Sequence, residues 1–297
     1  MPEPGVLYLT HPLNGLLMIG MPILLGVALK RRLGTRWALY GVGAITFVAS
    51  QAVHLPLNIG LTALFNQGLL PAPPEAWGAW FNPVVLGLTA GLCEEIARYA
   101  VYRWWIKRAR TWREALMFGA GHGGLEAILL GISVIAAFVV FFNLRRAGSD
   151  LSIVPPEQQG ALAQQIAAYW SADWPLTLLG AVERAFALCF HLSLAVIVLQ
   201  ALTRRNLLWL VGAILWHASL NAVALIVLPL WGPYWTEAVI GVFALAALVI
   251  VFALRPKDGE APPAPVSPAP QRPAPSVHPA DPADEMGRRL EATKYER

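Results

Sequence analysis

Charge is what this chain has least of. Asp, Glu, Lys and Arg make up 13% of its 297 residues, about half the share of roughly 25% usual in soluble domains. That excludes a water-facing globular enzyme of this length. Cysteine is almost missing as well: Cys93 and Cys189 both lie inside apolar runs, with no CxxC pair. A disulfide framework and a dithiol redox centre are thereby excluded, and both residues read as small buried hydrophobes. No HExxH zinc helix occurs. The first apolar run has no basic segment before it and no small-residue cleavage site after it, so no cleavable signal peptide is expected. The formal net charge of +4 does not indicate nucleic-acid binding, because most of the basic residues sit in short connectors between apolar runs.

What is present is apolar surface: 57% hydrophobic residues, with 12 Trp. A hydrocarbon core of about 30 Å takes about 20 helical residues to cross. Seven stretches are long enough, at 13–29, 37–64, 82–106, 114–142, 175–202, 206–230 and 235–254. The expected fold is all-α, a polytopic transmembrane helix bundle over 1–256, integral to a cell membrane with the lipid bilayer as its surroundings. The connectors divide by charge. Lys30, Arg31, Arg32, Arg36, Lys107, Arg108, Arg110, Arg113, Arg204, Arg205, Arg255 and Lys257 fall on one side, and only Arg145 and Arg146 on the other. The positive-inside rule then puts the N-terminus outside and the C-terminus in the cytoplasm. The long outer connector carries Glu157–Trp170, which reads equally as a short interfacial helix or an ordinary surface helix. Residues 257–297 begin as a Pro/Ala-rich stretch that cannot bury a core, and are expected to form a disordered cytoplasmic tail.

Five polar clusters interrupt the apolar runs. Glu94, Glu95 and Arg98 lie in the third span, and Gly119, Gly121, His122, Gly123, Gly124 and Glu126 in the fourth. Glu183, Arg184 and His191 lie in the fifth, His217 and Asn221 in the sixth, and His54 in the second. Each charge at a helix centre costs roughly 2.5–3.5 kcal/mol even on the mildest insertion scale, so ionisable groups here call for a functional explanation. Helical spacing puts Glu94 and Arg98 on one face, and likewise His122 with Glu126, Glu183 with His191, and His217 with Asn221. Counted from the cytoplasmic ends, Glu94 lies at roughly 18 Å, His122 at 14 Å, and His191 and His217 at 16 Å, while His54 lies at roughly 26 Å. Four groups from four helices thus share one layer, as a site in a bundle core requires. His54 falls outside it and reads as structural or interfacial. Separately, a structural ion pair would explain Glu183–Arg184, tight packing the glycines, and interhelical hydrogen bonding the Asn.

A carboxylate beside a His can hold and activate a water, and a His with an Asn can supply donors to a developing oxyanion. Together they suffice for amide hydrolysis without a covalent intermediate. No Ser, Cys or Thr is placed as a nucleophile.

At these residues the chain resembles the YhfC family of intramembrane proteases, related to the CAAX-protease/bacteriocin-processing (CPBP) and PrsW-like proteins. The matching pattern is Glu94-Glu95-x-x-Arg98-Tyr99, Phe118-x-x-x-His122 with Gly123-Gly124-Leu125-Glu126, Glu183-Arg184 with Phe190-His191, and His217-x-x-x-Asn221. The resemblance implies a glutamic-type intramembrane peptidase that needs no cofactor. Glu94 would be general base, His122 would position the water, and His217 and Asn221 would form the oxyanion site. Glu95 and Arg98 would orient and balance charge, with Glu126, Glu183, Arg184 and His191 in support. The wider CPBP pattern has three residues between Glu-Glu and Arg, where this chain has two. The expected substrate is a membrane protein or peptide. Two other readings stay open: a zinc-dependent metalloprotease using His122, His191 and His217, and a proton-coupled transporter. No internal duplication is visible, which counts against the transporter.

Overall fold

In a computed structural model the described residues, 4–146 and 154–256, are helical with no strand among them. The helices are α1 (Pro4–Leu33), α2 (Trp37–Asn66), α3 (Gly78–Ala100), α4 (Trp112–Arg146), α5 (Pro156–Ser171), α6 (Leu179–Thr203), α7 (Leu208–Trp231) and α8 (Pro233–Ala253). The expectation for 257–297 falls outside the described residues. Six helices are long and apolar enough to cross a membrane: α1, α2, α4, α6, α7 and α8. α3 is the seventh long helix of the bundle, and it carries Glu94, Glu95 and Arg98. The molecule is therefore a multi-pass integral membrane protein.

Apolar side chains cover the outside of the bundle, among them Leu16, Leu24, Ile59, Leu129, Leu215, Val242 and Leu245. Exposed Trp37, Trp104 and Trp105 sit at one set of helix ends, and Trp77, Trp80, Trp174, Trp231 and Trp235 at the other. Two such Trp levels are the usual interfacial belts of a membrane protein. The basic connectors share the first end. There Arg36 pairs with Glu114 at 4.0 Å, and the Trp112 indole donates to the Val251 carbonyl at 2.8 Å.

α6 is the most enclosed span, packed by α4, α8, α7 and α1. α3 lies along α7 and beside α2, and α2 crosses α4. Glycine permits that crossing. A Cβ on Gly121 would sit 1.9 Å from the Tyr40 carbonyl oxygen, and one on Gly43 would sit 2.1 Å from that of Phe118. On the other side of α4, a Cβ on Gly123 would meet the His191 ring at 2.5 Å. The glycines around His122 therefore bring α2 and α6 onto α4 at the level of the polar layer.

α1 begins some nine residues before the expected 13–29. Its added turns carry Thr10 and His11, and the next turn Asn14, all buried. His11 stacks on Tyr169 of α5 with ring centres 3.9 Å apart, and Asn14 Oδ1 accepts from the Ala181 amide at 2.7 Å. α5 places Ile166 and Trp170 against Leu7, so it is a packed part of the bundle. Beyond the site α3 runs on as a π-helical turn, Val101–Trp105, which turns the buried Tyr102 toward Ala195, where its hydroxyl donates to the carbonyl at 3.2 Å.

Candidate active site

Glu94 stands at the meeting point of α2, α3, α4 and α7. Its Oε2 accepts from His122 Nε2 at 3.0 Å and lies 3.6 Å from the Arg98 guanidinium and 4.0 Å from His217 Nε2. Its Oε1 accepts from Gln51 Nε2 at 3.2 Å. Glu95, fully buried on the next face of α3, accepts from Arg98 and from His217 Nδ1, the latter at 2.6 Å. A hydrogen bond from Nδ1 to a carboxylate fixes the His217 ring and leaves Nε2 facing Glu94.

Arg98 answers the question raised by its spacing. With two intervening residues it reaches Glu95 one turn back (i,i+3) and Glu94 (i,i+4) together. Its second amino group donates to His191 Nδ1 at 2.7 Å. His191 Nε2 then donates to Glu126 Oε2 at 2.8 Å, and Glu126 Oε1 accepts from Arg184 at 2.6 Å. Arg184 also pairs with Glu183. The ionisable residues singled out from the four charged stretches thus form one continuous chain of contacts through the bundle. Asn221 lines the same cavity as Glu94, Glu126, His191 and His217.

That cavity measures about 100 Å³. Glu183 and Arg184 also line an open groove of about 370 Å³, with Met18, Leu130, Ser133, Val134, Ala137 and Gly180. A larger cavity of about 510 Å³ at the basic end holds Arg36, Thr111, Arg113 and Glu114, and none of the site residues.

Gln51 joins the site beyond the expected residues, and so does His54, which by depth is expected outside it. Both connect to it: His54 Nδ1 lies 3.3 Å from Gln51 Oε1, and Gln51 holds Glu94. The available signal was the three-residue spacing of Gln51 and His54, which puts both on one face of α2.

The donor set suits a metal in part. Two trios have ligand atoms within 4.8 Å of one another: Glu94, His122 and His191, and Glu94, Glu95 and His217. Imidazole with carboxylate is a common zinc ligand set. The expected set of three His differs from this: His217 falls in the second trio, and Glu94 belongs to both. His122 Nδ1 is buried without a partner, while its Nε2 is the nitrogen that meets Glu94. Arg98 already sets a positive charge against Glu94, Glu95 and His191.

The model of the YhfC intramembrane metalloprotease family matches residues 17–244. A relative from Bacillus subtilis (strain 168), described as "Uncharacterized membrane protein YhfC", is 32% identical over 219 residues, covering 72% of this chain and 82% of the relative. No solved structure matches. The matched segment contains Glu94, His122, His191 and His217 and all but the outermost turns of the bundle, and the chain belongs to the YhfC intramembrane metalloprotease family.

Proposed function

We propose that this protein is an intramembrane endopeptidase of the glutamic type, which hydrolyses a membrane-embedded or membrane-proximal peptide bond with water activated by Glu94. The observation that carries the reading is the setting of the Glu94 carboxylate. Donors from four helices (Gln51, Arg98, His122 and His217) surround it, and it forms part of a cavity wall.

The steps follow from this placement. A water in the cavity beside Glu94, whose carboxylate His122 holds in place, gives a proton to that carboxylate as its oxygen attacks the peptide carbonyl carbon. The carbonyl oxygen becomes an oxyanion, taken up by His217 and Asn221. For His217 this role requires N–H on both ring nitrogens, with Nδ1–H donating to Glu95 and Nε2–H turned to the cavity. Glu94 then passes its proton to the leaving nitrogen and the C–N bond breaks, releasing a carboxylic acid and an amine, and the acid's proton moves to the amine to leave a carboxylate and an ammonium. Arg98 keeps Glu94 and Glu95 from repelling one another, and Glu126, Glu183 and Arg184 hold His191. The termini would lie as the connector charges imply, with the N-terminus outside.

The metal trios support a second reading. Glu94, His122 and His191 would hold a zinc ion, which as a Lewis acid would polarise the scissile carbonyl and lower the pKa of a bound water. In that case His122 would offer Nε2, the nitrogen that lies 3.0 Å from Glu94 Oε2.

Comparing membrane peptides from cells carrying wild-type protein and Glu94→Gln protein tests the hydrolytic reading. The expected outcome is accumulation of an uncut membrane peptide with the variant, at normal variant levels in the membrane. Removal of a general base typically costs about 10²–10⁴-fold. Cleavage at the wild-type rate by Glu94→Gln would sink the mechanism.

A further inference from the structure

From the row of polar side chains on α2, we infer that Gln51 is a positioning residue for Glu94, held in its working orientation by His54 and Asn58. The inference deepens the proposed reading of Glu94 as the base and rests on it. Gln51, His54 and Asn58 follow one another at three and four residues, so they lie on one face of α2, beside α3. Their hydrogen bonds form a chain: Asn58 Nδ2 to His54 Nε2 at 2.9 Å, His54 Nδ1 to Gln51 Oε1 at 3.3 Å, and Gln51 Nε2 to Glu94 Oε1 at 3.2 Å. The Thr89 hydroxyl of α3 lies 3.3 Å from His54 Nε2 and donates to the Leu86 carbonyl at 3.1 Å.

The direction of this chain follows from donor and acceptor chemistry. An ionised carboxylate only accepts, so Gln51 must present its NH₂ to Glu94 and its oxygen to His54. That oxygen also only accepts, so His54 must carry its proton on Nδ1. Nε2 is then a lone pair, which meets the amide NH₂ of Asn58. Each donor points toward Glu94, and hydrogen bonds aligned in one direction polarise one another. A flipped Gln51 amide would set oxygen against the Glu94 oxygen and NH₂ against the His54 Nδ1–H. His54 therefore acts on Glu94 only through Gln51. With Oε1 pinned in this way, Oε2 is left for His122 and for water. Plain interhelical adhesion would need no consistent direction and no terminus at this carboxylate.

The test reads the carboxylate directly and needs no substrate. Infrared spectra of the purified full chain in detergent, wild type minus Glu94→Gln, isolate the Glu94 carboxylate stretching bands. The same difference is taken in the Gln51→Leu, His54→Ala and doubly substituted backgrounds. The expected result is a shifted Glu94 band in Gln51→Leu, a shift of the same sign in His54→Ala, and no further shift in the double variant, because the residues act in series. An unmoved band in Gln51→Leu, or shifts that add, would overturn the inference. Should Gln51→Leu fail to fold, His54→Ala decides alone, and an unmoved band there overturns it. Full cleavage by Glu94→Gln would instead remove the base role and leave a shifted band standing, so the two failures are distinguishable.

Discussion

Arg98 is fully buried and touches three site residues, Glu94, Glu95 and His191. Substitution by Leu would take from Glu95 its guanidinium partner, and breaking a buried ion pair costs about 3–5 kcal/mol. The expected outcome is a lower unfolding temperature of purified Arg98→Leu in detergent, partly restored in Arg98→Leu/Glu95→Gln, where the neutral amide still accepts from His217. Equal destabilisation of the two variants would show that Arg98 acts by packing alone. At this scale the sequence was informative wherever charge was at stake. Glu94, His122, His191 and His217 stand out because ionisable groups in apolar helices are costly, and their common depth follows from a fixed rise per residue. Gln51 carries no charge and resembles ordinary interhelical glue, so its link to Glu94 emerges only when α2 is laid beside α3. The Arg98–His191 contact joins residues 93 positions apart, and no local spacing encodes it.

At the scale of the helix, the glycines of α4 have a checkable cost. Gly121→Ala would press a Cβ to 1.9 Å from the Tyr40 carbonyl, a backbone atom that cannot swing aside, whereas nothing lies within 4 Å of a Cβ on Gly60. Overpacking of this kind costs at least about 1–3 kcal/mol, and an unhindered Gly→Ala in a helix gains up to about 1 kcal/mol. Thermal unfolding should therefore show a clear loss for Gly121→Ala and little change or a small gain for Gly60→Ala. Because α2 and α4 carry Gln51 and His122, the first variant should also lose activity. Element type is more legible in this sequence than element boundaries. The start of α1 is hidden in the sequence because Thr10, His11 and Pro12 look like a polar lead-in, yet His11 is buried against Tyr169 of α5. Tertiary partners, which hydropathy does not see, decide where that helix begins.

For the whole molecule the open choice is between a base and a metal, and it turns on net charge. Glu94 and Glu95 bring two negative charges to the centre and Arg98 one positive. One further positive charge there can be a doubly protonated His217 or part of a bound cation. Metal analysis of the purified chain separates them. The glutamic reading expects substoichiometric zinc and cleavage that survives a strong chelator. Stoichiometric zinc, with loss of cleavage on chelation and recovery on zinc addition, would establish the second reading.

The size of the cavity sets a time as well as a shape. About 100 Å³ has room for a few waters and none for a helix, which with side chains is about 10–12 Å across. A substrate segment must therefore arrive with its backbone unwound, and the packed helices around Glu94 must part to admit it. Motions of this kind take microseconds to milliseconds or longer, so waiting for the door can outlast the chemistry behind it. Such a protease would sort membrane segments by how readily they uncoil, sparing a stable Leu-rich helix and cutting one already loosened by Gly or Pro.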